Sequence, residues 1–410
     1  MRPGWQARGI SKMGIPPAEA LLPQIHLAPD MIHLGIGQPS PSLLPIKEIK
    51  TAAAHCLGQE EVSFLAYGEA RGNHTFRQSL ANFLTAQYQQ NRQSDQDQYG
   101  VGPDQLLITN GVSQALDLIC TLFSKPGDTV LVEEPSYFLA LKIFADHHLN
   151  LVSIPVDENG LLTAVLEEKL EILSPAFLYT IPSYQNPSGV TLFRKRREEL
   201  ARISAKKNLL VVADEVYHFL NYTDTPPPPL GVFADQCPMI ALGSFSKILA
   251  PGLRLGWIHT SSALVKKIAH SGLLQSGGGF NPFTSEIVNG IIQEGRLTAH
   301  IKHLRQVYIN RAALLCRELR AALPDTISFQ TPQGGYFVWL KFPHDIDTNA
   351  FRKIAQKQKV DFYPGSFFSP SQGLSSHMRL CFALYENAIL IEGVRRLVAV
   401  IKQVHPELFE

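Results

Sequence analysis

Between about residue 74 and residue 260, short runs rich in apolar and β-branched residues alternate with longer amphipathic segments. The short runs are Thr129–Val132, Leu151–Ile154, Phe177–Thr180, Leu209–Ala213 and Met239–Leu242. Their apolarity is continuous rather than alternating, which predicts strands buried on both faces of a mostly parallel sheet. Between them, Ser113–Phe123 places Ala115, Leu118, Ile119 and Leu122 at helical spacing and stops at Pro126-Gly127. Leu192–Lys207 follows the same rule. Beyond about Phe283 the pattern changes to long helical stretches, Leu297–Leu323, Thr348–Lys359 and Glu386–Val404, around short strands at Tyr336–Leu340 and Met378–Phe382. The chain therefore reads as α/β, with a large layered domain over residues 46–285 and a smaller α+β domain over 286–410. Residues 1–45 read as an N-terminal arm, irregular before about Ile32, together with a part of the small domain.

A chain of 410 residues has room for two such domains. Its 37 Lys+Arg nearly cancel its 36 Asp+Glu, leaving a formal charge of +1, which argues against a nucleic-acid or membrane surface. The densest basic run, Arg194–Arg197, is followed by Glu198-Glu199 and reads as the solvated face of a helix that buries Leu200 and Ile203. Pro226–Pro229 reads as a stiff surface loop. The five cysteines, Cys56, Cys120, Cys237, Cys316 and Cys381, lack metal-ligand spacing and predict free thiols in a reducing cytoplasm, with no metal site. There is no leader-like apolar segment and no run of eighteen apolar residues, so a soluble cytoplasmic protein is expected.

Polar groups gather just after the short apolar runs, where parallel α/β sheets bind ligands. After Leu106-Leu107-Ile108, the small-residue turn Thr109–Gln114 opens into a helix. It is either a phosphate cradle or an ordinary capped helix start. Asp214 ends a run that should lie centrally in the sheet, so it meets either a cationic ring such as a pyridinium or a structural ion pair. Lys247 stands in Gly243–Trp257 among small hydroxyl residues, seven positions before Arg254 (247 + 7 = 254). A lysine in such a pocket loses its proton and attacks an aldehyde, while Ser244, Ser246 and Arg254 suit a phosphate. Arg379, in His377–Ala383, reads alone as either a strand-surface ion pair or a carboxylate clamp.

Taken whole, Gly243–Trp257 closely resembles the Ser-x-Ser-Lys-x-x-x-Pro-Gly-x-Arg-x-Gly segment of fold-type I pyridoxal-phosphate aminotransferases, class I/II. The resemblance runs from about Ile32 to the last helix. It implies a three-layer large domain with a mostly parallel sheet plus a smaller α+β domain, and pyridoxal 5′-phosphate held by Lys247 as a Schiff base. Tyr179–Gly189 resembles the family's Pro-x-x-Gln-Asn-Pro-Ser-Gly segment, which gives Asn186 the cofactor's phenolic oxygen. Tyr217 shares that oxygen, Asp214 partners the pyridinium, and Tyr137 stacks on the ring. Gly111, Val112, Ser113, Ser244, Ser246 and Arg254 are implied to hold the phosphate. Tyr67, in Tyr67-Gly68-Glu69-Ala70-Arg71-Gly72, is similar to the tyrosine that reaches the neighbouring subunit's phosphate, which implies a homodimer. Arg379 is implied to grip the substrate α-carboxylate, with Gly37 of Gly35-Ile36-Gly37-Gln38-Pro39 and Asn186 beside it. Two details depart from common relatives: the Gly-Val-Ser-Gln turn, and the absence of a proline before Gly72.

The activity implied is transfer of an amino group between an L-amino acid and a 2-oxo acid, by ping-pong kinetics, with Lys247 as the mobile base. The segments look most like the 2-aminoadipate, aromatic and branched-chain enzymes of broad specificity. One alternative is a lyase or synthase on the same scaffold. Another is a ligand-sensing domain of a transcriptional regulator, against which stand the near-neutral charge and the few residues before Ile32.

Overall fold

Eight strands build the central sheet of the computed structural model, which describes residues 30–60, 62–90, 99–223 and 226–410. The irregular arm expected before Ile32 lies almost wholly outside the described residues. The first strand, β1 (Ile32–His33), precedes the sheet. Next come β2 (Leu106–Thr109), β3 (Thr129–Glu134), β4 (Asn150–Asp157), β5 (Gly160–Leu161), β6 (Phe177–Thr180), β7 (Val211–Asp214), β8 (Met239–Ser244) and β9 (Gly256–Thr260). Their order across the sheet is β2-β9-β8-β7-β6-β3-β4-β5. The pairs from β8 to β4 run parallel, while β9 is antiparallel to both β2 and β8.

The continuous apolar runs bury both faces of this sheet, as expected. Val130, Val132, Tyr179, Val212, Ile240 and Leu242 pack into one core cluster. The alternate positions Leu131, Leu178, Val211, Ala213, Met239 and Ala241 pack into another on the opposite face. Each fully buried aliphatic side chain contributes about 1.5–3 kcal/mol. β4 departs from the expectation, because only Ile154 on it is buried and its outer neighbour β5 is two residues long.

The expected helices form with small shifts, at Val112–Phe123 and Arg194–Lys207. The basic run is not a solvated face throughout. Arg197 is fully buried, and its guanidinium donates to the carbonyls of Leu192, Pro228 and Pro182. Those bonds also draw the proline run inward, so Pro226, Pro228 and Pro229 are buried rather than on the surface.

Beyond the sheet, the 27-residue helix Arg296–Ala322 leads to β10 (Phe337–Lys341), β11 (Val360–Asp361), β12 (Tyr363–Pro364) and β13 (His377–Cys381). A three-stranded antiparallel sheet orders as β10-β13-β12, and β1 pairs with β11 in parallel. This layout decides where chemistry can occur. The carboxyl ends of β3, β6, β7 and β8 share one edge of the large sheet, and β13 brings Arg379 to face that edge.

Candidate active site

A cavity of about 270 Å³ opens at this edge. Its lining includes Gly37, Val112, Ser113, Tyr137, Asn186, Asp214, Tyr217, Ser244, Ser246, Lys247, Arg254 and Arg379. Residues from seven separate stretches of sequence meet there, and each is fixed by its own local structure.

At one end, Gly111 has φ +81°, a left-handed conformation that suits glycine, and precedes the first turn of the helix Val112–Phe123. A Cβ at Gly111 would stand 3.1 Å from Arg254 Nη2, so a side chain there would crowd the guanidinium. Arg254 itself has φ +47°. Its turn is held by Asn281, whose side-chain amide donates to the carbonyls of Leu253 (3.0 Å) and Arg254 (2.7 Å). Arg254 donates only weakly, to Pro251 O at 3.3 Å and Asn110 O at 3.4 Å, and has no carboxylate partner among the described residues. Ser244 Oγ accepts from Ser246 N at 3.0 Å, which turns the chain beside that cation. The result is a cluster of donors with a positive charge.

Asp214, at the carboxyl end of β7, is 4% exposed. Tyr179 donates to it at 2.9 Å and Val216 N at 3.4 Å. Burial outweighs these bonds and pushes its carboxyl up to about 6.

Lys247 follows β8, and its Nζ donates to Gly37 O at 2.7 Å. Burial pulls the amine down to about 8, with Arg379 and Arg254 acting in the same sense and Cys381 and Asp214 against it. Two residues earlier in the same turn, Gly35 O accepts from Arg379 Nη2 at 2.5 Å. Arg379 Nη1 donates to Asn186 Oδ1 at 2.5 Å, while its Nε has no partner among the described residues. The guanidinium is 4.1 Å from the ring centre of Phe337 and 4.7 Å from that of Phe368. It is buried, and no carboxylate pairs with it among the described residues. His33 Nδ1 accepts from Gly35 N at 3.1 Å and so fixes the turn that both cations share.

Sequence reasoning passes over three supporting residues: Glu133, Asn281 and Tyr336. Glu133 accepts from Thr180 Oγ1 (2.5 Å), Ile181 N (3.0 Å) and Gln185 Nε2 (3.1 Å). Gln185 also donates to Pro135 O at 2.5 Å. The loops carrying Tyr137 and Asn186 are thereby tied to one buried carboxylate. A charge ending a continuous apolar run is the available signal for Glu133, the same one that singles out Asp214. Of the site residues expected from sequence, all but Tyr67 converge here, with Gly111 just behind Arg254. Tyr67 is 90% exposed and lies outside the cavity of its own chain. Among the described residues no three His, Cys, Asp or Glu side chains gather as metal ligands, and no helix is long and apolar enough to cross a membrane.

The family described as "Aminotransferase class I and II" matches residues 29–397. The chain is 32% identical to aromatic-amino-acid aminotransferase 1 of Thermococcus litoralis, over 91% of this chain and 88% of that protein. Among solved structures, it is similar to the multiple substrate aminotransferase of Thermococcus profundus. That match has a TM-score of 0.84 and 32% identity, and covers 92% of this chain and 93% of the other. It is also similar to the alpha-aminoadipate aminotransferase of Thermus thermophilus complexed with N-(5′-phosphopyridoxyl)-L-leucine. There the TM-score is 0.83 and the identity 29%, with coverage of 92% and 94%.

Proposed function

The chain belongs to the class I and II aminotransferase family, and from that premise we propose how its residues divide the work of pyridoxal-phosphate-dependent amino transfer. The cavity fits the cofactor on two independent points. Gly111, Ser244, Ser246 and Arg254 form a donor set with an uncompensated positive charge, which suits a phosphate. Asp214 is a buried carboxylate with no cationic hydrogen-bond partner among the described residues, which suits a protonated ring nitrogen. When bound, pyridoxal phosphate supplies a carbonyl carbon that accepts and returns the amino group, and a ring that withdraws electrons from the substrate Cα.

The chain's own contribution is binding, orientation and proton transfer. Ser244, Ser246, Arg254 and the N–H groups of Val112 and Ser113 would hold the phosphate, and Tyr137 would pack against the ring. Asp214 keeps the ring nitrogen protonated, while Asn186 and Tyr217 serve the phenolic oxygen. Lys247 holds the cofactor at rest. With the cofactor bound, the Lys247 amine would be the base that takes the proton from the substrate Cα and hands it back at the cofactor's carbonyl carbon. Its lowered pKa increases the neutral, proton-accepting fraction near neutral pH. Arg379 grips the α-carboxylate through its fork.

The observation that carries this division is the shared turn at Gly35–Gly37, on which Arg379 and Lys247 both rest, two residues apart. A carboxylate bound by the one brings its Cα toward the other. Arg379→Leu is expected to lower kcat/KM for the amino acid by roughly 10²–10⁴-fold, since a buried charged pair with the substrate is lost. Its cofactor absorption should match the wild type. Steady-state kinetics giving kcat/KM within threefold of wild type would refute the assignment. Phe138, Leu139, Ile143, Phe337 and Tyr363 line the cavity and suit apolar or aromatic amino acids. Steady release of ammonia from one amino acid without an oxo-acid acceptor would instead mark a lyase.

The exposed Tyr67, near exposed Val62 and Leu65, fits a homodimer in which it reaches the partner's phosphate. Tyr67→Phe should weaken cofactor affinity roughly tenfold, as expected for one hydrogen bond to a charged group, without changing a dimeric sedimentation coefficient. A monomer in sedimentation would contradict this. The five free, buried cysteines fit a reducing compartment such as the cytoplasm.

A further inference from the structure

Two tyrosine rings approach the Lys247 amine, and only Tyr217 has a part in the reading above. The other, Tyr336, is fully buried immediately before β10. Its hydroxyl donates to the main-chain carbonyl of Lys247 at 3.1 Å. Its ring centre lies 5.4 Å from Lys247 Nζ, within the range of a cation–π contact, against 5.9 Å for Tyr217. One side chain therefore meets the lysine at both ends, at the backbone from which it springs and at the amine.

Tyr336 is itself held firmly. Tyr308 and Tyr217 pack edge-on against it, with centroids at 5.1 and 5.4 Å, and the Tyr308 hydroxyl lies 3.4 Å from its own. Gly335, with φ +70°, makes the preceding turn, and its carbonyl accepts from Tyr222 Oη at 2.5 Å. A Cβ at Gly335 would come within 2.9 Å of the Tyr184 side chain, so the turn is fixed from outside as well. A side chain held between two tyrosines and springing from a fixed turn is a poor space-filler and a good rest for a flexible partner. Lysine has four rotatable side-chain bonds, and proton transfer needs its amine within hydrogen-bond reach of the reacting carbon.

We propose that Tyr336 is a positioning residue for Lys247: its hydroxyl pins the backbone carbonyl, and its ring gives the detached amine a resting place beside the cavity. This rests on Lys247 being both the cofactor lysine and the base. The other titratable and charged groups around the amine are Asp214 at the end of β7, Tyr217 just beyond it, Arg254 after β8, and Arg379 and Cys381 on β13. None of them contacts the Lys247 backbone carbonyl through a hydrogen bond among the described residues.

The test uses the holoenzyme with Tyr336→Phe, which keeps the ring, and Tyr336→Leu, which loses ring and hydroxyl. Tyr336→Leu should lower kcat roughly tenfold or more, move the amino-acid KM by less than about threefold, and retain the cofactor. The isotope effect on kcat from deuterium at Cα should rise, because transfer by Lys247 has become slower relative to other steps. Tyr336→Phe should lower kcat by about threefold and move the isotope effect in the same direction. A second readout does not depend on turnover. The pH midpoint of the resting cofactor's visible band should fall by about half a unit in Tyr336→Leu, where the π face no longer favours the cationic form, and stay put in Tyr336→Phe. An unchanged isotope effect and midpoint in both variants, with any loss of kcat matched by loss of cofactor, would overturn the proposal. If Tyr336→Leu does not fold, an unchanged isotope effect in Tyr336→Phe does so alone. Full turnover in Lys247→Ala would sink the underlying reading, whereas an essential Lys247 with silent Tyr336 variants sinks only this one.

Discussion

Lys247→Ala is expected to lower kcat for amino transfer by roughly 10⁴-fold or more while the protein still binds its cofactor. A positioned general base accounts for about 10²–10⁴-fold, and on the proposed role of Lys247 the loss of the amine that would hold and exchange the cofactor adds to this. Retention of the cofactor follows from the geometry. Arg254, Ser244, Ser246 and Asp214 do not depend on Lys247 for their placement, since their turns are fixed by Asn281, by Ser246 N and by Tyr179. A small primary amine added to Lys247→Ala should restore part of the lost rate, because the missing group is a base of modest size in a cavity of about 270 Å³. Steady-state assay with and without the amine checks both statements. A kcat within tenfold of wild type would remove Lys247 from the chemistry.

Asp214→Asn should cost roughly 10²–10⁴-fold in kcat, the loss expected when one partner of a buried charge pair is removed. The same residue makes a prediction about stability. Burial raises its carboxyl to about 6 from an ordinary 3.8, so between those values the folded protein without cofactor holds a proton that the unfolded chain has lost. A raised pKa contributes stability that is fully present below the unfolded value and is lost as pH rises through the folded one. The loss therefore falls between about pH 4 and pH 6 and amounts to about 3 kcal/mol. Cofactor-free wild type should have a Tm close to that of cofactor-free Asp214→Asn below pH 4 and a lower one above pH 6. Bound cofactor should remove the deficit in the wild type by supplying a cation. A difference between the two proteins that stays constant from pH 3.5 to pH 7 would contradict the placement of Asp214.

The large sheet is legible because burial on both faces writes an uninterrupted apolar run, and a charge or small polar cluster at the end of each run stands out. Asp214, Lys247 and the Ser244–Ser246 turn are readable on that ground, and the resemblance to a known family turns Arg379 from an ordinary strand arginine into a candidate clamp. What cannot be read is the pairing across the chain. Nothing near Lys247 in sequence announces its bond to Gly37, nor does anything near Arg379 announce Asn186 or Gly35. Tyr336 reads as the start of a strand, and only the tertiary fold sets its hydroxyl on Lys247 O.

Arg197 departs from the surface expected of its charge run, although its spacing is informative. It shares the buried stripe of Leu200, Ala201 and Ser204, which follow it by three, four and seven positions. Where the period of a charge matches that of the apolar stripe, the period decides its burial. The guanidinium is stable there because three carbonyls receive it and Glu215 lies 3.8 Å away. Tyr67 shows the opposite limit. A single chain leaves it exposed and outside the cavity, so the role proposed for it requires a second subunit.

The most direct test of the central claim is to reduce the holoenzyme with borohydride, digest it and locate the pyridoxyl group by mass spectrometry. The label should sit on Lys247 alone, in a peptide that trypsin no longer cleaves after that residue, and should be absent from Lys247→Ala. A label on any other lysine, or an unlabelled Lys247 in fully loaded enzyme, would contradict the account.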